Sequence, residues 1–195
     1  DTYHGRHQPR QRSQGEMQAN WKATTLPQLN QAINNAAKAG DQERAESIFR
    51  EIEQSGLRPD TISYNSVIHA CAKHGNMDRA EHWLQTMRKS GVQLTTISYN
   101  ILMDACAKAD DAKAAEKWLN CMLQDGVPAN EVSYATVIHA RAKQGAIEEA
   151  EKWLHKMVEN GVKPNIVSYN SLINACSRRG DVQGAERWIQ EVEAR

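Results

Sequence analysis

Two polar columns run through this 195-residue chain. Asn stands at 30, 65, 100 and 170, with Ala135 as the one break. A cation stands at Lys38, Lys73, Lys108, Lys143 and Arg178, and successive members of either column are 35 residues apart. A side-chain amide offers both donors and an acceptor to a planar polar edge, and a row of fixed cations attracts polyanions. The residue types for bond-making chemistry are missing: there is no G-x-S-x-G, no Gly-rich phosphate loop and no H-x-E with C-x-x-C. His69, Cys71 and His74 can be written as a metal motif, but His-x-Cys-x-x-His on one short helix is poor ligand geometry, and no other unit repeats it. No catalytic residue, metal or cofactor is expected.

The columns need a scaffold with the same period. Tyr64, Tyr99, Tyr134 and Tyr169 each follow Ser and keep the 35-residue interval, the mark of a stacked repeat. The register gives units 61–95, 96–130, 131–165 and a shorter 166–195, preceded by a divergent 26–60 in which Leu29 replaces Tyr. Each unit reads as two helices. The first is expected to begin near Ser63, Ser98, Ser133 or Ser168, good N-cap residues. Val67, Ile68 and Cys71 mark its buried face. Gly40, Gly75, Gly145 and Gly180, with Asp110 in the odd unit, suit a left-handed terminus. Asp41, Asn76, Asp111 and Asp181 then cap the second helix, a pattern broken by Ala146. Ala45, Ala80, Ala115, Ala150 and Ala185 imply close helix contact there, and Trp83, Trp118, Trp153 and Trp188 supply packing between units. Gly56, Gly91, Gly126 and Gly161 close the second helix, with Pro59 and Pro164 beyond it.

Charge is balanced, with 24 basic and 24 acidic residues, so any basic surface is local. The cation column predicts a positive stripe along one edge of the stack. No apolar run nears 18 residues, and no membrane span is expected. Cys71, Cys106 and Cys176 share one repeat position, about 10 Å apart in stacked helices, beyond disulfide reach. These cysteines and Cys121 read as buried small hydrophobes in a reducing compartment. Arg141 stands where other units have Cys or Ala and is expected to find a partner or solvent. Residues 1–25 are rich in Gln, Arg and His, carry Gly5, Pro9 and Gly15, and are expected to be a disordered tail. The chain opens on Asp, which fits a fragment of a longer protein.

The stretches "ISYNSVIHACAKHGNMDRAEHWLQTMRKSGV" and "VSYNSLINACSRRGDVQGAERWIQEVE" resemble the pentatricopeptide repeat, with its Tyr-Asn start, Gly-bounded turn and Gly-x-x-Pro-Asp/Asn end. The resemblance covers residues 26–195 and implies an all-α, right-handed superhelical solenoid of about five helix-turn-helix repeats. Tetratricopeptide repeats run at 34 residues with a different pattern.

The resemblance also implies single-stranded RNA as partner, one base per repeat, acting in RNA processing, stability or translation. The fifth residue of a repeat would read the Watson–Crick edge: Asn30, Asn65, Asn100, Ala135 and Asn170. The last would assist: Asp60, Thr95, Asn130 and Asn165. The second would sandwich the base: Pro27, Ile62, Ile97, Val132 and Val167. The cations Lys38, Lys73, Lys108, Lys143 and Arg178 would approach phosphates. By the family's pairing pattern, Asn30 with Asp60 implies U, Asn100 with Asn130 implies C or less strongly U, and Asn65 with Thr95 implies only a pyrimidine. Ala135 leaves its unit reading poorly or not at all. With the N-terminal repeat taking the 5′ base, the expected target is near 5′-U-Y-C/U-N-Y.

Plainer readings compete. Asn just inside a helix can serve as a local turn or cap, and the cations can complement helix C-termini. A protein-binding scaffold is the alternative function for a helical solenoid. The last unit stops within its second helix, where an uncapped end could support self-association. Mitochondrion or plastid is the family's default location.

Overall fold

The computed structural model describes residues 25–194. The expected tail lies outside the described residues except for Thr25. Ten helices are described, two per unit: α1 over Leu26–Ala39, α2 over Gln42–Gln54, α3 over Thr61–Lys73, α4 over Met77–Lys89, α5 over Thr96–Lys108, α6 over Ala112–Gln124, α7 over Glu131–Lys143, α8 over Ile147–Glu159, α9 over Ile166–Arg179 and α10 over Val182–Glu193.

The first helices do not begin at Ser. Each starts at the first residue of its unit, and the N-cap is the last residue of the unit before. Asp60 accepts from Ser63 N at 2.9 Å, and Ser63 Oγ accepts from Asp60 N at 3.2 Å. Thr95 with Ser98 and Asn130 with Ser133 repeat this capping box, and Asn165 accepts from Ser168 N. Two good capping residues three apart satisfy each other's backbone, and the outer one defines the terminus. Each cap contributes about 1 kcal/mol. The second helices begin as expected at Asp41, Asn76, Asp111 and Asp181, while Ala146 makes no side-chain cap.

Between the two helices the chain passes through the left-handed region. Gly75 has φ 87°, and Asp110 has φ 63°, the one non-glycine with positive φ among the described residues. Asp tolerates that conformation better than most side chains. The following amide then closes on the first helix, as Asn76 N does on Cys71 O at 3.0 Å.

Helices α1, α3, α5, α7 and α9 pack side by side as one layer. Each second helix leans on its own first helix and, in the first four units, on that of the next unit. The column of Ala45, Ala80, Ala115 and Ala150 is fully buried and lets paired helices approach. Trp83, Trp118, Trp153 and Trp188 are also buried, each ring 6.1–6.4 Å from the Tyr of its own unit. Aromatic pairs at this spacing add roughly 0.5–1.5 kcal/mol beyond area burial. No described helix is long and apolar enough to cross a membrane.

Candidate functional site

The Asn column lies along the seams between successive first helices. At the first seam, Asn30 donates from Nδ2 to Asp60 Oδ1 and Oδ2 at 3.0 and 3.2 Å, and Ser63 Oγ donates to Asn30 Oδ1 at 2.6 Å. At the second, Asn65 Nδ2 donates to Thr95 Oγ1 at 3.5 Å, and Asn65 Oδ1 accepts from Ser98 Oγ at 2.7 Å. At the third, Asn100 reaches Asn130 at 3.5 Å and accepts from Ser133 Oγ at 2.7 Å. The fifth residue of one unit and the last residue of the same unit are therefore neighbours, joined by the next helix's Ser. Asn30 is only 6% exposed, whereas Asn65 and Asn100 are half-buried behind longer contacts. None of these three Asn caps its own helix.

Ala135 breaks the chain of bridges. With no amide to meet, Ser168 Oγ keeps only the bond to its own cap, Asn165 Oδ1, at 3.2 Å, a bond that Ser63 and Ser133 also make to their caps. A hollow of about 620 Å³ opens there, lined by Ala135, Val132, Val167, Asn165, Lys108 and Lys143 among others. Asn170 is exposed on the last first helix, where no further first helix is described to form a seam.

Beside the Asn column runs a row of solvent-facing aliphatics. Ile62, Ile97, Val132 and Val167 are 51–62% exposed, and Pro27 is exposed at the same position in the first unit. Four β-branched side chains left in water at one register position are not core. They are the apolar half of a surface whose polar half is the Asn column.

The cations lie at the far end of the same helices, all exposed, but most are engaged. Lys73 Nζ donates to the Lys38 carbonyl and Arg178 to the Ala142 carbonyl, each at the C-terminus of the preceding first helix. Lys108 pairs with Asp104 at 2.6 Å, and Lys143 with Asp110 at 2.8 Å. They complement helix dipoles while remaining at the surface, where exposed ion pairs contribute little and exchange readily.

Other residues organise the back of the stack. Glu46 accepts from Arg79 Nε at 2.6 Å and Trp83 Nε1 at 3.0 Å, and Glu151 accepts from Arg187 and from Trp188 Nε1 at 3.2 Å. This Glu column was missed in the sequence, although Glu46, Glu81, Glu116, Glu151 and Glu186 keep the 35-residue period. Arg141 finds its partner here: its guanidinium pairs with Glu116. Cys71, Cys106 and Cys176 are buried, and no described cysteine is in a disulfide. Burial pushes the Cys71 thiol up to about 12 and Cys106 to about 11, so neither is a thiolate at neutral pH. No described group of His, Cys, Asp and Glu is placed to hold a metal.

Among the shifted groups, His69 and Glu46 bear on the pH response. Burial, with Lys73 and Lys108, holds His69 below its ordinary 6.5. The Arg79 hydrogen bond, against desolvation, holds Glu46 below 4.5. In both windows the unfolded chain binds more protons, so stability falls as pH falls. Thermal melts are expected to show a midpoint that declines from about pH 6.5 downward, with His69→Gln removing the upper part of the decline. A midpoint that is flat or rises over pH 7 to 5 contradicts the assignment.

The paired helices, the 35-residue period and the polar seams define a helical-repeat solenoid, and sequence comparison agrees. The PPR repeat family model matches residues 59–108, 94–143 and 129–178, together more than half the chain. A pentatricopeptide repeat domain model matches 29–73, and a PPR repeat model matches 167–195. The chain belongs to the pentatricopeptide repeat family. Among solved structures, PPR10 from maize matches with TM-score 0.78 and 28% identity over 92% of this chain. PPR10 in complex with an 18-nt psaJ RNA element matches with TM-score 0.75 and 28% identity. The chain spans about a quarter of the PPR10 chain, 26%. The PPR domain of Arabidopsis thaliana protein-only RNase P 1, in complex with tRNA, matches at TM-score 0.70 and 18% identity, over 85% of this chain and 88% of that one, and shares the fold. No curated protein sequence matches the chain significantly.

Proposed function

We propose that this chain binds single-stranded RNA along the seams between its first helices, one base per unit. The observation that carries the reading is the capped seam. Asp60, Thr95 and Asn130 each spend one oxygen on capping the next helix, and that head group lies against the Asn of its own unit. Asp60 uses Oδ1 on Ser63 N, and Oδ2 remains an acceptor, which suits the N3–H of uracil. Asn130 uses Oδ1 on Ser133 N and leaves Nδ2 as a donor, which suits cytosine N3. Thr95 spends its hydroxyl on Ser98 and turns no polar atom outward, so its unit takes either pyrimidine. In each case the second Nδ2 hydrogen of the column Asn donates to a pyrimidine carbonyl. Ile62, Ile97, Val132 and Val167 would pack on base faces, and the cations would meet phosphates.

Support comes also from the PPR10 complex, whose partner is an RNA element. A transcript in mitochondrion or plastid fits the family, and action in processing, stability or translation follows from occupying such a strand. A random-RNA selection with sequencing is expected to return pyrimidine-rich strands near 5′-U-Y-C/U-N-Y. Purine-rich winners contradict the reading, and a chain that captures no RNA returns the fold to its scaffold alternative.

The unit at 131–165 gives a gain-of-function prediction. Ala135→Asn places the missing amide beside Asn165, where the hollow has room. One or two new hydrogen bonds are worth about 0.5–1.5 kcal/mol each. Binding of strands with C at the fourth position is therefore expected to tighten roughly 3- to 10-fold, measured by fluorescence anisotropy. Equal tightening for all four bases there contradicts the seam assignment.

A further inference from the structure

Between the base-reading and cationic positions, each first helix carries one more residue on the same face. The fifth and thirteenth residues of a unit are eight apart, and the ninth lies midway, about 6 Å along the axis from each. The ninth residues are Asn34, His69, Asp104, His139 and Asn174. All five are polar and can hydrogen-bond, though they differ in charge and shape.

These residues border successive hollows. His69 and Asp104 face each other across a hollow of about 460 Å³ with Lys73 and Lys108. Asp104 and His139 line the 620 Å³ hollow with Lys108 and Lys143. His139 and Asn174 line a third of about 350 Å³ with Lys143 and Arg178. Asn34, His69 and Asn174 make no side-chain hydrogen bond within the described residues. His139 uses only Nδ1, on Ser171 Oγ at 3.2 Å.

We infer that the ninth-residue column contacts the ribose 2′-hydroxyls and makes the groove prefer RNA to DNA; this rests on the base-reading assignment above. A nucleotide is ordered base, ribose, phosphate. With the base at the fifth residue and the phosphate at the thirteenth, the ribose faces the ninth. A hydroxyl both donates and accepts, so it is met equally by Asn, by neutral His and by Asp. That explains a column that is always polar yet varied in kind. Asp104 in the path of a polyanion is otherwise unfavourable, but its carboxylate accepts from a 2′-hydroxyl while Lys108 offsets its charge. Burial and the neighbouring lysines keep His69 neutral, with one nitrogen to donate and one to accept.

The test uses the full chain, a matched pyrimidine-rich RNA, the deoxyuridine/deoxycytidine strand of the same order, and RNAs with one 2′-deoxy nucleotide at the second or fourth position. The unaltered chain is expected to favour RNA over the all-deoxy strand by about tenfold or more. Each single deoxy substitution should cost about 3-fold. His69→Ala should abolish the cost at the second position only, and His139→Ala at the fourth only, with salt slope and base preference kept. The pattern should persist at pH 8, where the His69 imidazole is neutral. Equal affinity for RNA and DNA, deoxy costs untouched by the substitutions, or an effect that disappears at pH 8 (the mark of a cation on phosphate) overturns the inference while the base reading stands. Loss of pyrimidine preference in the unaltered chain overturns the base reading and this inference with it.

Discussion

Replacing Lys73, Lys108 and Lys143 together with Ala is expected to weaken binding of every pyrimidine-rich strand by tens-fold near 0.15 M salt. The slope of log affinity against log salt should flatten by about 2, at roughly 0.7 per phosphate for single strands. The three cations share one register position in a chain with no net charge, so they are the main source of a local positive field there. Lys108 and Lys143 are paired with Asp104 and Asp110, and their removal leaves those acids facing the strand. The loss should be the same whatever the base order, because phosphates position a strand without specifying it. An unchanged slope would show that the cations serve only the helix ends they now contact.

The second large effect concerns the frame. Trp83→Ala is expected to destabilise the stack by about 3–5 kcal/mol, the usual cost of removing a buried aromatic. For a chain of this size that lowers the thermal midpoint by roughly 6–20 °C. Trp83 packs 4.6 Å from Phe49 and 6.3 Å from Tyr64, ring centre to ring centre. Its Nε1 is also one of the donors holding Glu46 between two units. Trp83→Phe should recover a large share of the loss by refilling the space, without restoring that hydrogen bond. If the Ala variant melts within about 2 °C of the parent, the Trp column is not the packing element between units.

The repeat was legible because its punctuation is chemical. Gly at the left-handed turns, Asp or Asn at the second caps and Ala at the close contacts each answer a backbone need that recurs every 35 residues. The start of the first helix was misplaced by three residues. Ser63 and Asp60 are both good caps, and only the folded backbone shows that they bond reciprocally with Asp60 outermost. The base-reading positions came from a family resemblance, and the structure adds why Asn and the following cap meet: the next helix starts at that cap and delivers its Ser to the amide. Some contacts had no local signal. Arg141 with Glu116, Lys73 with the Lys38 carbonyl and Glu46 with Trp83 are each separated by 25 to 37 residues, and pairing across units depends on how neighbours lean together. The ninth-residue column did have a signal, being four residues beyond the Asn on the same face, but its varied chemistry hid the pattern.

The central claim is that the free head-group atom of Asp60 or Asn130 selects the base at its unit. Asp60→Asn tests it most directly. Asn at this position still caps Ser63 N through Oδ1, so the fold is kept, but the outward acceptor becomes a donor. RNA selection on the parent and the variant should show the first position switching from U to C, with preferences at the other positions unchanged. A first position that still prefers U, or a change spread over all positions, contradicts the account.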